Sequence, residues 1–155
     1  MRIYLASSWK NAEIVRLLAE DLRERGHQVY DFTDPKNFIE GIDGFAFDAS
    51  KEFGKPFSEI NWIEFSNCPA TEKACLIDKA GMDWANTVIL LLPCGRSAHM
   101  EAGIGLGQGK LLIIYGELPL GQFETVYNLT PHRYESKDWL KVVQTLDGRE
   151  GDKCL

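Results

Sequence analysis

The sequence predicts a doubly wound α/β domain, with a five-stranded parallel sheet and helices on both of its faces. Three observations carry this. Strand-like and helix-like segments alternate along the chain. Two near-continuous apolar runs, 87–93 (TVILLLP) and 111–116 (LLIIYG), have the character of central parallel strands buried on both faces. The opening β-α-β stretch has the length of a right-handed crossover unit. At 155 residues the chain fits one domain and can bury a core without disulfides or metals.

Residues 2–6 (RIYLA) read as the first strand. A helix is expected over 10–25, where Ile14, Leu17, Leu18 and Leu22 recur at helical spacing and Gly26 stops it. Residues 27–31 (HQVYD) form the second strand. The segment 32–56, rich in Asp, Gly, Pro and Phe, lacks a sustained period and reads as a long surface loop of a kind that is often functional. Its phenylalanines either fold over something apolar or tether the loop to the core. Helices are expected over 57–66 and 71–85, then the strand 87–93, the short loop CGRSA, a helix over 99–108 and the strand 111–116. A helix over 121–127, a short strand near 128–130 and a last helix over 137–146 complete a flavodoxin-like arrangement. Residues 1–148 form the single domain and 149–155 a frayed tail.

The net charge of -6 argues against a protein that grips a nucleic-acid backbone. It leaves room for one small phosphorylated ligand in a locally basic or amide-rich pocket. The cysteines, Cys68, Cys75, Cys94 and Cys154, include no C-x-x-C pair and no Cys/His spacing suited to a metal. Reduced thiols in a reducing compartment are expected, with no metal and no cofactor. The N-terminus lacks the apolar run of a signal peptide, and no segment approaches the roughly 20 apolar residues of a membrane span. The expectation is a cytoplasmic protein without membrane or nucleic-acid partners.

In this architecture ligands bind beyond the carboxyl ends of the strands, where strand order reverses. Three segments should meet there: the end of the first strand (Ala6, Ser7, Ser8, Trp9), the loop after the second, and the stretch from Cys94 to Glu101 after the third. The last of these opens a helix, so it presents unpaired N–H groups and the positive end of a helix dipole. Gly95 and Ser97 let a backbone approach closely, Arg96 adds a cation and Ser97 a hydroxyl, which together make an anion site. His99 is placed to contact a phosphate or a sugar hydroxyl. Glu101 is expected in the first helical turn, where the dipole favours its ionised form by about 0.3–1 kcal/mol. An ionised carboxylate at this edge suits attack on an electrophilic sugar carbon. The plain alternative is a first-turn acid on a surface helix.

A second acid is needed for the leaving group. Asp78, on the helix that feeds the third strand, is the candidate and Asp83 its competitor; either could be an ordinary exposed helix charge. Gly103, Gly105, Gly107 and Gly109 alternate along the expected helix, each costing roughly 0.8–1 kcal/mol relative to alanine, so close packing or close approach of a ligand must compensate. The dinucleotide pattern G-x-G-x-x-G between strand and helix is absent. No Ser/His/Asp triad assembles, and Cys94 lacks an obvious base.

These residues resemble the nucleoside 2-deoxyribosyltransferase superfamily, which includes nucleoside 5'-monophosphate N-glycosidases. The likeness is carried by IYLASSW at the opening strand and turn, by the D-x-x-x-M-x-x-A spacing from Asp78 through Met82 to Ala85, and by H-M-E-A-G-I-G after the third strand, and it runs from residue 1 to about 115. The resemblance implies that Glu101 is the nucleophile and that Asp78 protonates the departing base or orients the nucleophile. It implies further that Ser7, Ser8 and Trp9 line the base and sugar pocket, and that Gly95–Ala98 lie near the sugar 5' position. Asn86 replaces an aspartate common in the family, and the CGRSAH loop is more polar and more cationic than usual, which favours a phosphorylated or otherwise anionic substrate over a free nucleoside. Phe45, Phe47 and Trp62 are candidates for a base-stacking wall, though core packing accounts for them equally. The implied reaction is cleavage of an N-glycosidic bond through a glutamyl-glycosyl ester, resolved by water or by a second base. Homo-oligomers in which a neighbouring subunit completes the pocket are also implied. A TIR-like NAD glycohydrolase and a non-catalytic nucleotide sensor are the alternatives.

Overall fold

The computed structural model describes residues 1–34 and 47–148 of the chain. Phe45 and the tail 149–155 lie outside the described residues. The sheet contains β1 (Arg2–Ala6), β2 (Gln28–Tyr30), β3 (Thr87–Leu92), β4 (Leu111–Gly116) and β5 (Arg133–Tyr134), in the order β2-β1-β3-β4-β5. Every pairing is parallel. Strand order reverses between β1 and β3, which makes their carboxyl ends the expected ligand edge.

Helices cover both faces. They are α1 (Ala12–Glu24), α2 (Ala49–Phe53), α3 (Trp62–Ser66), α4 (Pro69–Trp84), α5 (Arg96–Gly107) and α6 (Trp139–Leu146). Val15, Ala19 and Leu22 of α1 and Val142 and Leu146 of α6 pack with Ile3, Leu5, Ile89 and Ile113. Met82 of α4 and Ala98 and Ala102 of α5 pack with Tyr4, Ala6, Val88, Leu90 and Ile114 on the opposite face. Alternate residues of each strand therefore enter different halves of the core, so β3 is buried along its whole length and apolar from Val88 onward. The fold is a doubly wound, flavodoxin-like α/β sheet. No helix among the described residues is long and apolar enough to cross a membrane.

Several local expectations are corrected. The first helix opens with a 3-10 turn at Trp9–Asn11 before α1 begins. The expected helix over 57–66 is split into a 3-10 turn at Phe57–Glu59 and the short α3. Asn61 enforces the break. Its side chain accepts from the Glu64 N–H at 3.0 Å while the Glu64 carboxylate accepts from the Asn61 N–H at 3.1 Å, a reciprocal capping box that starts a new helix. The long loop also carries structure of its own, since Asp48 caps α2. The expected helix over 121–127 is instead a 3-10 stretch at Thr125–Leu129, preceded by Gly121 in a left-handed conformation (φ +81°). The last strand falls at β5, later than the expected 128–130.

The most consequential difference lies in α5. It begins at Arg96, with Gly95 as its N-cap, so Glu101 is the sixth residue of the helix and not part of its first turn. Its C-terminus is closed by Gly109, which has φ +72° and stands beyond the helix. The Gly109 N–H donates to the Leu106 carbonyl at 2.9 Å and the Lys110 N–H to the Gly105 carbonyl at 3.1 Å, a Schellman ending. Only Gly105 is demanded by packing, since a Cβ there would sit 2.5 Å from Val88 Cγ2, whereas Gly103 and Gly107 face open space.

Candidate active site

The carboxyl ends of β1 and β3 are tied together by Asn11. Its amide donates to Ser7 Oγ at 3.0 Å and to the Pro93 carbonyl at 2.7 Å, and Ser7 Oγ donates in turn to the Leu91 carbonyl at 3.0 Å. Ser7 therefore holds the two strand ends in register. Ser8 caps the following 3-10 turn by accepting from the Lys10 N–H at 3.3 Å. Trp9 stands 53% exposed, with its ring edge-on to Phe32 at 5.1 Å, so it offers a free aromatic face at this edge.

Two carboxyls meet on the α4/α5 face of the sheet. On α4, Gly81, Met82 and Ala85 are buried, and the spacing Asp78, Met82, Ala85 puts the aspartate on the same sheet-facing stripe. Asp78 Oδ1 accepts from the Tyr30 hydroxyl at 2.8 Å. From α5, Glu101 lies near Tyr4, whose hydroxyl favours the charged form of its carboxyl. Tyr4 and Tyr30 occupy paired positions on β1 and β2, and their rings stack at 4.8 Å, within 5° of parallel. Both acids remain half-buried, neither sealed in the core nor free in solvent.

This environment reverses the expected electrostatics of Glu101. Burial, and then the neighbouring Asp78 charge, raise its carboxyl to about 7, and the Tyr4 hydroxyl offsets only part of this. A sixth-position residue lies beyond the reach of the first-turn dipole that was expected to hold it ionised. Asp78 is also raised by burial, with the Tyr30 hydrogen bond opposing. Tyr4 is pushed up by burial and by the charges of Glu101 and Asp78. Asp83 lies apart, exposed, ion-paired with Lys79 and accepting from Gln108 Nε2 at 3.2 Å.

The start of α5 has no side-chain cap, so the N–H groups of its first turn have no intrahelical or capping partner there. Gly95, Arg96 and Ser97 are exposed around them. His99 is engaged at both nitrogens. Nδ1 lies 2.8 Å from the Gly95 carbonyl and Nε2 2.7 Å from the Tyr127 hydroxyl. A carbonyl can only accept, so Nδ1 carries the proton, and in the neutral ring Nε2 accepts from Tyr127. Cys94 Sγ, 3.5 Å from Nδ1, consequently faces a donor and has no base there. Burial, followed by the Glu101 charge, pushes the Cys94 thiol up to about 11.

Of the candidates for an aromatic wall, Phe47 packs in a small aromatic cluster, in which Phe47, Phe53 and Phe57 surround Phe65 at ring distances of 6.0, 6.2 and 5.8 Å. Trp62 is 79% exposed on α3. Among the described residues, no group of three or more His, Cys, Asp and Glu side chains is placed to hold a metal ion.

Sequence reasoning missed Tyr4, Tyr30, Asn11 and Tyr127. The alternation of β1 could have flagged Tyr4, a phenol on the same strand face as Ala6. Tyr30 becomes visible only with the β1–β2 register, and Tyr127 only with the chain's return after β4. No family model matches the chain, and no curated protein matches it in sequence.

Proposed function

We propose that the protein cleaves the N-glycosidic bond of a nucleoside or nucleoside 5'-monophosphate, with Glu101 as nucleophile and transfer of the glycosyl group to water or to another base. The observation that carries this reading is the half-buried Glu101–Asp78 pair, braced by stacked tyrosines beside the point where strand order reverses. Two neighbouring carboxyls with raised affinities for protons titrate as a pair. Their repulsion disfavours charge on both at once, so one is suited to act as nucleophile or base and the other as acid.

In the reaction, a Glu101 oxygen bonds to the anomeric carbon as the carbon–nitrogen bond breaks, and the departing base takes a proton from Asp78. Attack by water then releases Glu101, with Asp78 accepting the water's proton. The exposed Trp9 face is suited to stack on the base. The uncapped α5 N-terminus with Arg96 and Ser97 is suited to a 5'-phosphate. His99, held by Gly95 and Tyr127, shapes that loop and contacts a phosphate only if its ring leaves Tyr127. The exposed Trp62, Ile63, Leu76, Met100 and Ile104 on α3, α4 and α5 support self-association, to be checked by sedimentation. Free Cys68, Cys75 and Cys94 fit a reducing, cytoplasmic setting.

The test is chromatography of nucleosides, nucleoside monophosphates and NAD after incubation with the protein, with and without an added free base. Free base alone means hydrolysis, and a new nucleoside means transfer. Loss of product in Glu101→Gln is expected. Arg96→Ala should raise KM for monophosphates by about 10-fold and leave free nucleosides unaffected, as loss of one charge-assisted contact predicts. Nicotinamide release from NAD alone favours the glycohydrolase alternative. Binding without any release favours a sensor.

A further inference from the structure

We propose that Tyr30 is a positioning residue that fixes the Asp78 carboxyl on the Glu101 side of the sheet and so sets how readily Glu101 ionises. The inference rests on the proposed glycosidase reading for its kinetic meaning, but its geometry stands alone. The Tyr30 hydroxyl donates to Asp78 Oδ1 at 2.8 Å. Its ring is fixed from one side by the parallel stack on Tyr4 at 4.8 Å. On α4 it lies against Gly81, where a Cβ would approach Cδ2 to 2.6 Å. Only glycine lets the helix lie close enough for Asp78, one turn earlier, to meet the phenol. The ring cannot swing away without breaking the stack or moving the helix.

The two phenols pull in opposite directions. Donation from Tyr30 favours charge on Asp78, and that charge favours the proton on Glu101. The nearby Tyr4 hydroxyl favours charge on Glu101. Among the described residues the titratable groups facing the pair are Tyr4 from β1, Tyr30 from β2, and Cys94 from the loop after β3, with Asp31 acting on Tyr30. Within this group the two phenols act in opposite senses on the Glu101 proton. Removing the Tyr30 hydroxyl should move the proton toward Asp78 and free the Glu101 carboxylate at lower pH.

The test is Tyr30→Phe, which keeps the ring, its stack and its seat on Gly81. Carboxyl 13C titration should show the Glu101 midpoint falling by about half a unit or more and the Asp78 midpoint rising. In kinetics, the acidic limb of kcat/KM should move down by the same amount. Turnover should fall about 10-fold, because Asp78 loses the hydrogen bond that orients its carboxyl toward the leaving base, with KM unchanged, since Tyr30 does not touch substrate. In the wild-type protein, the Tyr30 13Cζ resonance should follow the Asp78 titration, a readout that needs no variant. Unchanged midpoints in Y30F, or a Tyr30 resonance that stays still while Asp78 titrates, overturn the proposal. If the wild type releases no base from any substrate, the glycosidase reading fails, while the titrations still decide the role of Tyr30.

Discussion

Tyr4 and Tyr30 face each other across adjacent parallel strands, and each phenol acts on a different carboxyl: Tyr30 donates to Asp78 on α4, and Tyr4 lies near Glu101 on α5 and favours its charge. Register alone creates this. Once Tyr4 pairs with Tyr30, both rings rise from the same face, and the two helices covering that face must each meet one of them. Two acids are thereby brought close enough to repel, in a setting that also withholds solvent from them.

Burial of Glu101, and then that repulsion, have a measurable cost in stability. The folded protein holds the Glu101 proton up to about pH 7, against an ordinary value of 4.5. Between those values the native state binds a proton that the unfolded chain has released, so unfolding free energy falls as pH rises through this window. The raised Asp78 adds to the same trend. The melting temperature of wild type should therefore decline between roughly pH 5 and pH 8 relative to that of Glu101→Gln, which lacks the titrating group. Parallel pH dependences for the two proteins would show that Glu101 is not strained in the folded state.

The same titration should govern the rate. A nucleophilic carboxylate must be ionised, so kcat/KM for base release should rise with pH through a midpoint near 7, the value to which burial and Asp78 raise Glu101. Asp78→Asn removes the second of those causes. The residual activity of that variant, lowered by loss of the acid, should show its acidic limb displaced to lower pH. A limb that stays in place would mean that another group controls it.

How much of this was legible in the chain depended on distance. The buried strands β3 and β4 announced themselves as apolar runs, and Asp78 was singled out on the helix that feeds β3, though its burial became visible only with the packing of α4 on the sheet. The start of α5 was not legible. Its cap is Gly95, which makes no side-chain bond, so the residues before His99 looked like loop. That three-residue error displaced Glu101 from the second turn to the first and inverted its expected electrostatics. The tyrosine pair depended on strand register, and the His99–Tyr127 contact spans 28 residues. Neither leaves a local periodic signal.

The glycines of α5 offer a sharper check on packing. Gly103 and Gly105 are near neighbours in the same helix with opposite surroundings. Alanine at 103 enters open space and should stabilise the protein by about 0.4–1 kcal/mol through helix propensity and a less flexible unfolded chain. Alanine at 105 would drive a Cβ to 2.5 Å from Val88 Cγ2 and should cost about 1–3 kcal/mol as the helix is forced off β3. Urea denaturation of the two variants should give midpoint shifts of opposite sign. Equal shifts would mean that α5 does not lie on the sheet as described.

Cys94 provides a test of the His99 tautomer without any substrate. A thiol becomes reactive as thiolate, and the Cys94 thiol is pushed to about 11 from an ordinary 9.0, chiefly by burial and then by the Glu101 charge. Two units correspond to an about 100-fold smaller thiolate fraction at mildly alkaline pH. Iodoacetamide should therefore modify the exposed Cys75 well before Cys94, as read by peptide mass mapping. Substitution of Glu101 by Gln removes the second cause and should accelerate labelling at Cys94 several-fold, with Cys75 unchanged. His99 cannot accelerate it, because Nδ1 is held as a donor by the Gly95 carbonyl. Were Cys94 to react as fast as Cys75 in the wild type, the ring would have to present an unprotonated Nδ1 to the sulfur, and a cysteine–histidine pair would then compete with Glu101 for the role of nucleophile.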